Sequence, residues 1–308
     1  MTTHFLPIKL ASRVQKALVE CRAILAMEST VLTHGLPYPR NFEVLATLEE
    51  LCRENGAEPA TIIILDGIAH IGMDKADIAN LKRKMNDGEK LHKFGRREIP
   101  MAIVKGLSGG TTVSATMLLA HQAGLKVFAT GGIGGVHRGW NQTLDISNDL
   151  KALAEIPVIV VSAGCKAILD IPATLEYLES SGVPILGWQT DDFPAFYSHS
   201  SGFKIDSVDS AKQVAEIYET MLRLDPKPSG MILANPVPTK DEIPHKIISK
   251  HIDKAICTAT EMGINGKALT PFLLSFLAKS TEGQSVTTNL ALLENNVRVG
   301  AAIAKELI

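Results

Sequence analysis

Short apolar runs, rich in β-branched residues, alternate with helical patterns along most of this chain. Runs that are apolar throughout must be covered on both faces, which is typical of parallel strands joined by crossover helices. The pattern predicts strands at 23–27, 60–65, 101–104, 126–130, 157–162, 184–188 and 230–234. We therefore expect an α/β fold with a mostly parallel sheet and helices on both of its faces.

Apolar residues at helical spacing predict the helices between these strands. The segment 42–55 repeats leucines at this spacing and stops at Gly56, a common residue at a helix terminus. Asp74 followed by Asp77 predicts a capping box at the start of another helix. Further helices are predicted at 113–123, 166–181, 210–224, 250–262, 271–279 and 286–306.

The chain of 308 residues, 45% of them hydrophobic, can form one large domain or two small ones. It contains no internal repeat, low-complexity tract or linker that would separate two units, so a single domain over 1–308 is predicted. The longest irregular stretch, 189–208, carries several aromatic residues, and we interpret it as a lid or an oligomer contact.

Charge and cysteine content exclude several classes of protein. Lys and Arg total 31 against 33 for Asp and Glu, a net charge of -2 that gives no general attraction to nucleic acid. The four cysteines form neither a metal knuckle nor a dense disulfide framework, which favours reduced thiols and a cytoplasmic location. Location in an organelle is the alternative. No membrane span and no secretory leader are predicted, because the longest uncharged stretch is polar and the start lacks a leader pattern.

The densest functional signal is TGGIGGVHRG at 130–139, which we name the glycine loop; it directly follows an apolar strand. Glycines let the backbone approach a ligand closely and expose its N–H groups to an anion. The loop is not a dinucleotide fingerprint, because His137 stands where the third glycine is required. We favour a ligand loop over a tight surface turn.

The segment DISND at 145–149 offers carboxylate and hydroxyl oxygens, which suit Mn²⁺ or Mg²⁺. The alternative is a helix cap, in which an Asp or Ser side chain accepts from free backbone N–H groups. Spacing alone favours the cap.

Lys166 and Glu28 each follow an apolar strand, at the edge where open α/β sheets place their ligands. A lysine that loses solvation there can act as a Schiff-base nucleophile, and a carboxyl there can donate and accept protons. The alternatives are an ordinary solvated lysine, which is commoner for a lone lysine, and a structural carboxylate. Lys93, with Arg96 and Arg97, forms a basic cluster that can bind phosphate, although such clusters are more often solvated.

Taken together, these segments resemble the pseudouridine-5'-phosphate glycosidases and their indigoidine synthase A-like relatives. The matching stretches run in order along nearly the whole chain: MEST at 27–30, HGLPYPRN at 34–41, GAEPATI at 56–62, GGTTVSAT at 109–116, VFATGGIGGVHRG at 127–139, DISNDL at 145–150, SAGCKAILD at 162–170, TLEYLESSGVP at 174–184, FPAF at 193–196, ANPVP at 234–238 and TPFLL at 270–274.

The resemblance implies a three-layer α/β/α fold with a mixed, mostly parallel sheet, a homotrimer, and cleavage of pseudouridine 5'-phosphate to uracil and ribose 5-phosphate. It implies that Lys166 is the Schiff-base nucleophile, Glu28 the proton donor and Asp145 the ligand of Mn²⁺ or another divalent cation. It also implies a functional link to a pseudouridine kinase. The implied substrate-binding positions are Lys93, Thr112, Val113, Thr130, His137, Ser147, Asn148, Asp149 and Asn289.

Two other functions use the same residues. A Schiff-base aldolase or isomerase acting on a sugar phosphate would need the same lysine, carboxylate and anion loop. The other is a noncatalytic nucleotide-binding or interaction module, against which the several charged groups at strand ends argue. Release of uracil separates the first of these from the glycosidase, and unchanged substrate after incubation with Mn²⁺ would indicate the second.

Overall fold

The computed structural model describes residues 7–264 and 269–308, with the side chains of Thr270 and Pro271 also outside the description. The prediction of no secretory leader and the TPFLL stretch therefore fall partly outside the described residues. Within them lie eleven strands: β1 (Ile8–Leu10), β2 (Ile24–Met27), β3 (Glu58–Leu65), β4 (Ile68–Ile71), β5 (His92–Phe94), β6 (Gly109–Thr111), β7 (Val127–Ala129), β8 (Ile159–Ser162), β9 (Ile185–Trp188), β10 (Asp206–Val208) and β11 (Met231–Ala234).

These strands form one mixed sheet in the order β1-β4-β3-β2-β7-β8-β11-β9-β10. β3 pairs antiparallel with β4 and with β6, while the pairings from β3 through β2, β7, β8, β11 and β9 to β10 are parallel. β5 extends the sheet beside β6 in parallel. Every residue of β2, β3, β7, β8 and β11 is buried, as the apolar runs predicted.

Helices flank this sheet, which confirms the predicted α/β class. They are α1 (Ser12–Val19), α2 (Arg40–Glu54), α3 (Lys75–Asn86), α4 (Ile99–Val104), α5 (Val113–Gln122), α6 (Trp140–Thr143), α7 (Asn148–Glu155), α8 (Ile171–Ser180), α9 (Ala211–Leu224), α10 (His245–Glu261), α11 (Leu269–Ser280) and α12 (Gln284–Glu306). α5 packs on β2, β3 and β7, and α12 packs on β2, β7 and β8. In the described part of the chain, no helix combines the length and apolarity needed to cross a membrane.

The strand predicted at 101–104 is wrong, because this segment lies in helix α4. Pro100 stands in the first turn of α4, a position that suits proline, and the Glu98 carboxylate accepts a hydrogen bond from the Gly95 backbone N–H just before it. Ile99 and Ala102 are buried whereas Val104 is 84% exposed, so the burial is one-sided as in a helix. The helix predicted from residue 166 begins only at Ile171, which leaves Lys166 in a loop.

The irregular stretch 189–208 packs into the core. Phe193, Phe196 and Tyr197 are each at most 5% exposed. Phe196 donates its backbone N–H to the Ala163 carbonyl, just after β8, at 3.1 Å. This packing against the loop before Lys166 does not fit a lid formed by these three aromatics, and the interpretation of the stretch as an oligomer contact stays a prediction.

Candidate active site

Three adjacent parallel strands, β2, β7 and β8, end at the same edge of the sheet, and each is followed by a residue of the predicted site. Met27 pairs with Ala129, so Glu28 and Thr130 follow side by side. Lys166 comes four residues after the end of β8. The structure therefore brings Lys166 and Glu28 together, as the strand-end argument predicted, and places Thr130 beside them.

Glu28 is half-buried and borders a small cavity of about 20 Å³, while protein atoms surround the rest of its carboxyl group. The buried Thr130 hydroxyl donates a hydrogen bond to Glu28 Oε1. Burial raises the pKa of Glu28, and Asp149 adds to the increase; Lys166, the Thr130 hydrogen bond and Lys93 oppose it without cancelling it. A carboxyl in this environment keeps its proton to higher pH than an exposed one.

The Lys166 amine is held by the glycine loop. Its Nζ donates to the Gly132 carbonyl at 2.8 Å, and its backbone N–H donates to the Ile133 carbonyl at 3.0 Å. A Cβ on Gly132 would lie 2.6 Å from the Phe196 ring, so only glycine fits between that ring and the loop. Because burial raises the pKa of the preceding residue, Cys165, to about 12, its thiol does not compete with the amine as a nucleophile near neutral pH.

Asp149 joins the glycine loop to helix α5. Its Oδ1 accepts from the Ser114 backbone N–H and its Oδ2 from the Gly134 backbone N–H, both at 2.9 Å. Ser147 caps α7 by accepting from the Asp149 backbone N–H at 3.2 Å. The cap that the spacing favoured is therefore confirmed, and Asp149 is engaged with the protein backbone as well.

The remaining predicted binding residues surround these groups in different ways. The Val113 side chain is only 1% exposed, so contact with a ligand would have to come from its backbone at the start of α5. The Thr112 hydroxyl lies 3.2 Å from that of Ser114, whereas Asn148 is exposed. Asn289 Oδ1 lies 3.4 Å from the position of a Cβ on Gly131 and so approaches the start of the glycine loop.

Lys93 lies on β5, close enough to act electrostatically on both Glu28 and His34. Burial and the charge of Lys93 lower the pKa of His34, so this histidine is neutral near pH 7. Sequence reasoning missed His34 as a site residue, although it opens the HGLPYPRN stretch.

Asp145, the predicted metal ligand, has a side chain that is 44% exposed, with one oxygen 3.9 Å from His137 Nδ1. Burial and Lys166 lower the pKa of His137, against the opposing effect of Asp145, so a neutral imidazole faces the carboxylate. Among the described residues, no group of three or more His, Cys, Asp or Glu side chains could hold a metal. The residues present therefore fit an ion that keeps most of its water, as Mg²⁺ and Mn²⁺ do, and not one enclosed by protein ligands.

Two buried amides also reach the site and were not predicted. Asn296 Nδ2 donates to the Thr130 carbonyl at 2.7 Å, and Asn235 Nδ2 donates to Asn296 Oδ1 at 2.9 Å. A polar pair, Asn295 and Asn296, inside the apolar pattern of 286–306 was the available signal, because buried amides need partners.

Comparison with known proteins gives a consistent result. A family model described as indigoidine synthase A like protein matches residues 13–306. A pseudouridine-5'-phosphate glycosidase of Caldanaerobacter subterraneus subsp. tengcongensis is 48% identical over 97% of this chain and 96% of its own length. One of Clostridium botulinum is 46% identical over 97% of each chain.

Two solved structures share the fold. An indigoidine synthase A-like protein of Thermotoga maritima has a TM-score of 0.88 and 36% identity, over 100% of this chain and 99% of the other. The prealnumycin C-glycosynthase AlnA was solved in complex with ribulose 5-phosphate. It has a TM-score of 0.88 and 32% identity, over 97% of this chain and 96% of its own. A near-complete family match, close relatives and a shared fold all agree: the chain belongs to the indigoidine synthase A-like family.

Proposed function

We propose that this protein cleaves the carbon–carbon glycosidic bond of pseudouridine 5'-phosphate, reversibly, to give uracil and ribose 5-phosphate. The observation that carries the proposal is geometric: the Lys166 amine, held by the Gly132 carbonyl after β8, lies close enough to the Glu28 carboxyl at the end of β2 to act on it electrostatically. The names of the 45–48% identical relatives and the ribulose 5-phosphate bound to a structural neighbour support the same substrate class.

Pseudouridine joins C1' of ribose to C5 of uracil, so the leaving group offers no glycosidic oxygen or nitrogen for protonation. In the proposed reaction, the Lys166 amine bonds through Nζ to C1' as the C1'–O4' bond breaks, and Glu28 gives its proton to O4'. Glu28, now a carboxylate, takes a proton from the positively charged nitrogen and restores the nitrogen lone pair. This lone pair then forms a C=N bond to C1' while the C1'–C5 bond breaks, and its electrons form a bond from C5 to the proton that Glu28 returns. Water hydrolyses the imine and releases ribose 5-phosphate.

We assign the substrate phosphate to Lys93, because its positive charge acts close to Glu28 at this edge of the sheet. We further assign Mn²⁺, or another divalent cation, to Asp145, where it would polarise oxygen atoms of the substrate. Asp145→Asn should weaken Mn²⁺ binding measured by titration calorimetry, whatever the activity of the variant; unchanged binding would remove Asp145 from the metal site.

The decisive experiment incubates the purified protein with pseudouridine 5'-phosphate, with and without a chelator, and follows uracil by ultraviolet absorbance. Borohydride added with ribose 5-phosphate should attach one sugar phosphate at Lys166, located by peptide mass spectrometry. Lys166→Ala should abolish both results, whereas Lys151→Ala, at a lysine that is 63% exposed, should retain them. Turnover of a sugar phosphate without uracil would instead favour the aldolase or isomerase, and an adduct elsewhere would exclude Lys166.

We also propose a cytoplasmic homotrimer whose substrate is supplied by phosphorylation of pseudouridine, the reaction of a pseudouridine kinase. Light scattering tests the assembly directly, with three times the 33.1 kDa chain mass as the expected result.

A further inference from the structure

A line of buried polar groups connects helix α12 to Glu28. Asn296, in the middle of α12, is 0% exposed, and Asn235, just after β11, is 2% exposed. Asn235 donates to Asn296, which donates to the Thr130 carbonyl, and the Thr130 hydroxyl donates to Glu28. Each link is a hydrogen bond between groups on different elements of the fold.

These bonds fix the main chain of Thr130 from two sides. Its N–H donates to the Val161 carbonyl of β8 at 3.0 Å, and its carbonyl accepts from Asn296 at 2.7 Å. β7 ends at Ala129, so Asn296 supplies a donor just beyond the regular pairing of the sheet. The direction of the Thr130 side chain follows from this main-chain position.

Packing alone does not require an amide at position 296. Its buried neighbours on α12 include Leu292, Leu293 and Val297, so the partners of the amide come from outside the helix. An amide in such a place costs free energy unless its hydrogen bonds are made, which points to a purpose for the bond to Thr130.

We propose that Asn296, oriented by Asn235, is a positioning residue for the proton donor: it holds Thr130 so that the threonine hydroxyl fixes the Glu28 carboxyl. This inference rests on the proposed function, in which Glu28 delivers a proton to the sugar. The charged groups that face Glu28 are Lys166, Lys93 and Asp149, and none of them contacts Asn296 in the hydrogen bonds described.

The test compares Asn296→Leu, Thr130→Val and the double variant, using uracil release from pseudouridine 5'-phosphate across pH. We expect kcat to fall on the order of 10- to 100-fold in Asn296→Leu, the scale of a displacement of about 1 Å in an active site, with a much smaller change in KM. Loss of the Thr130 hydrogen bond raises the pKa of Glu28 further, so the alkaline limb of the kcat profile should move to higher pH. The kcat of the double variant should be no lower than that of the more impaired single variant, because both substitutions break the same line of hydrogen bonds to Glu28.

Val297→Ala is the matched control, since it removes buried atoms from the next position of α12 and should lower stability without moving the pH profile. Asn235→Ala keeps Asn296 but removes the donor that orients it. This variant replaces Asn296→Leu in the kinetic test if Asn296→Leu does not fold. An unmoved pH profile with wild-type kcat in either asparagine variant, or additive losses in the double variant, would overturn the inference. Absence of uracil with the unsubstituted protein would instead refute the proposed function itself.

Discussion

At the scale of single residues, Glu28 shows how local surroundings set the chemistry of a common side chain. Its carboxyl is crowded by protein atoms, which disfavours the charged form, while two lysines and one hydroxyl favour it. Burial has the larger effect, so the pKa of Glu28 stays above its ordinary value of 4.5. A proton donor needs this balance, because it must keep its proton until the substrate is bound and still release it.

The raised pKa predicts a pH-dependent cost in stability. Above pH 4.5, Glu28 ionises in the unfolded chain while the folded state resists ionisation, so the free energy of unfolding falls as pH rises towards the folded pKa. Glu28→Gln has no charge to bury and can still accept from Thr130. Its Tm should exceed that of the parent, by more at pH 8 than at pH 5, in thermal denaturation followed by circular dichroism, while uracil release is lost.

Glu50→Gln is the control for this prediction, since the Glu50 side chain is 65% exposed and such substitutions change stability by roughly 0.5 kcal/mol or less. A Glu28→Gln protein less stable than its parent at pH 8 would mean that the ionised carboxylate stabilises the fold.

At the scale of elements, Asp149 connects the start of α5 with the glycine loop. Asp149→Asn retains one acceptor oxygen and turns an NH₂ group towards a backbone N–H, so one hydrogen bond is lost and two donors face each other. We expect a loss of about 1–3 kcal/mol in the free energy of unfolding, measured in urea. Asn148→Ala, at the exposed neighbouring position, should change it little. If Asp149→Asn kept its stability but bound ribose 5-phosphate weakly, the main partner of the carboxylate would be the substrate.

Substitution of Gly132 tests how the 189–208 segment supports the position of Lys166. In Gly132→Ala the new methyl group meets the Phe196 ring at 2.6 Å, and the loop that holds Lys166 must shift. Stability should fall by about 1–3 kcal/mol, and borohydride trapping at Lys166 should slow, because Gly132 supplies the carbonyl that accepts from the amine.

Gly131→Ala is the control for this substitution, since the new methyl group would lie 3.4 Å from its nearest neighbours, an ordinary van der Waals distance. Phe196→Leu added to Gly132→Ala should recover part of the stability by removing ring atoms. No recovery would show that the ring is not the cause of the loss.

The sequence predicted the buried strands well because their signal is local: a strand buried on both faces is apolar at every position, as in β3 and β8. It failed at α4, whose apolar residues resemble a strand. It also missed β1, β4, β5, β6 and β10, which are only three or four residues long and depend on pairing with neighbouring strands. Glu28 and Lys166 could be predicted as neighbours because parallel strand ends share an edge. Asn296 and Phe196 could not, since Asn296 lies on a helix and Phe196 in an irregular segment, and no rule about strand ends places either side chain at the site.

At the scale of the whole molecule, α12 connects distant parts of the structure. It packs on the strands β2, β7 and β8 that carry the site, and on α2 and α9. At Gly300 the helix approaches the sheet closely, because a Cβ there would lie 2.8 Å from Leu25 of β2. The residues at the centre of the sheet therefore depend on the last helix of the chain.

This dependence predicts that the protein unfolds as one cooperative unit, in agreement with the single domain expected from the sequence. Gly300→Val adds atoms between α12 and β2 and should cost about 1–3 kcal/mol through overpacking. The unfolding midpoints seen by far-ultraviolet circular dichroism and by fluorescence of Trp188, on β9, should then fall together, with Trp140→Phe used to isolate the signal. Ser280→Ala, on the neighbouring helix α11, should leave both midpoints near those of the parent. If fluorescence kept its midpoint while circular dichroism lost part of its signal early, the strands around β9 would form a separate folding unit.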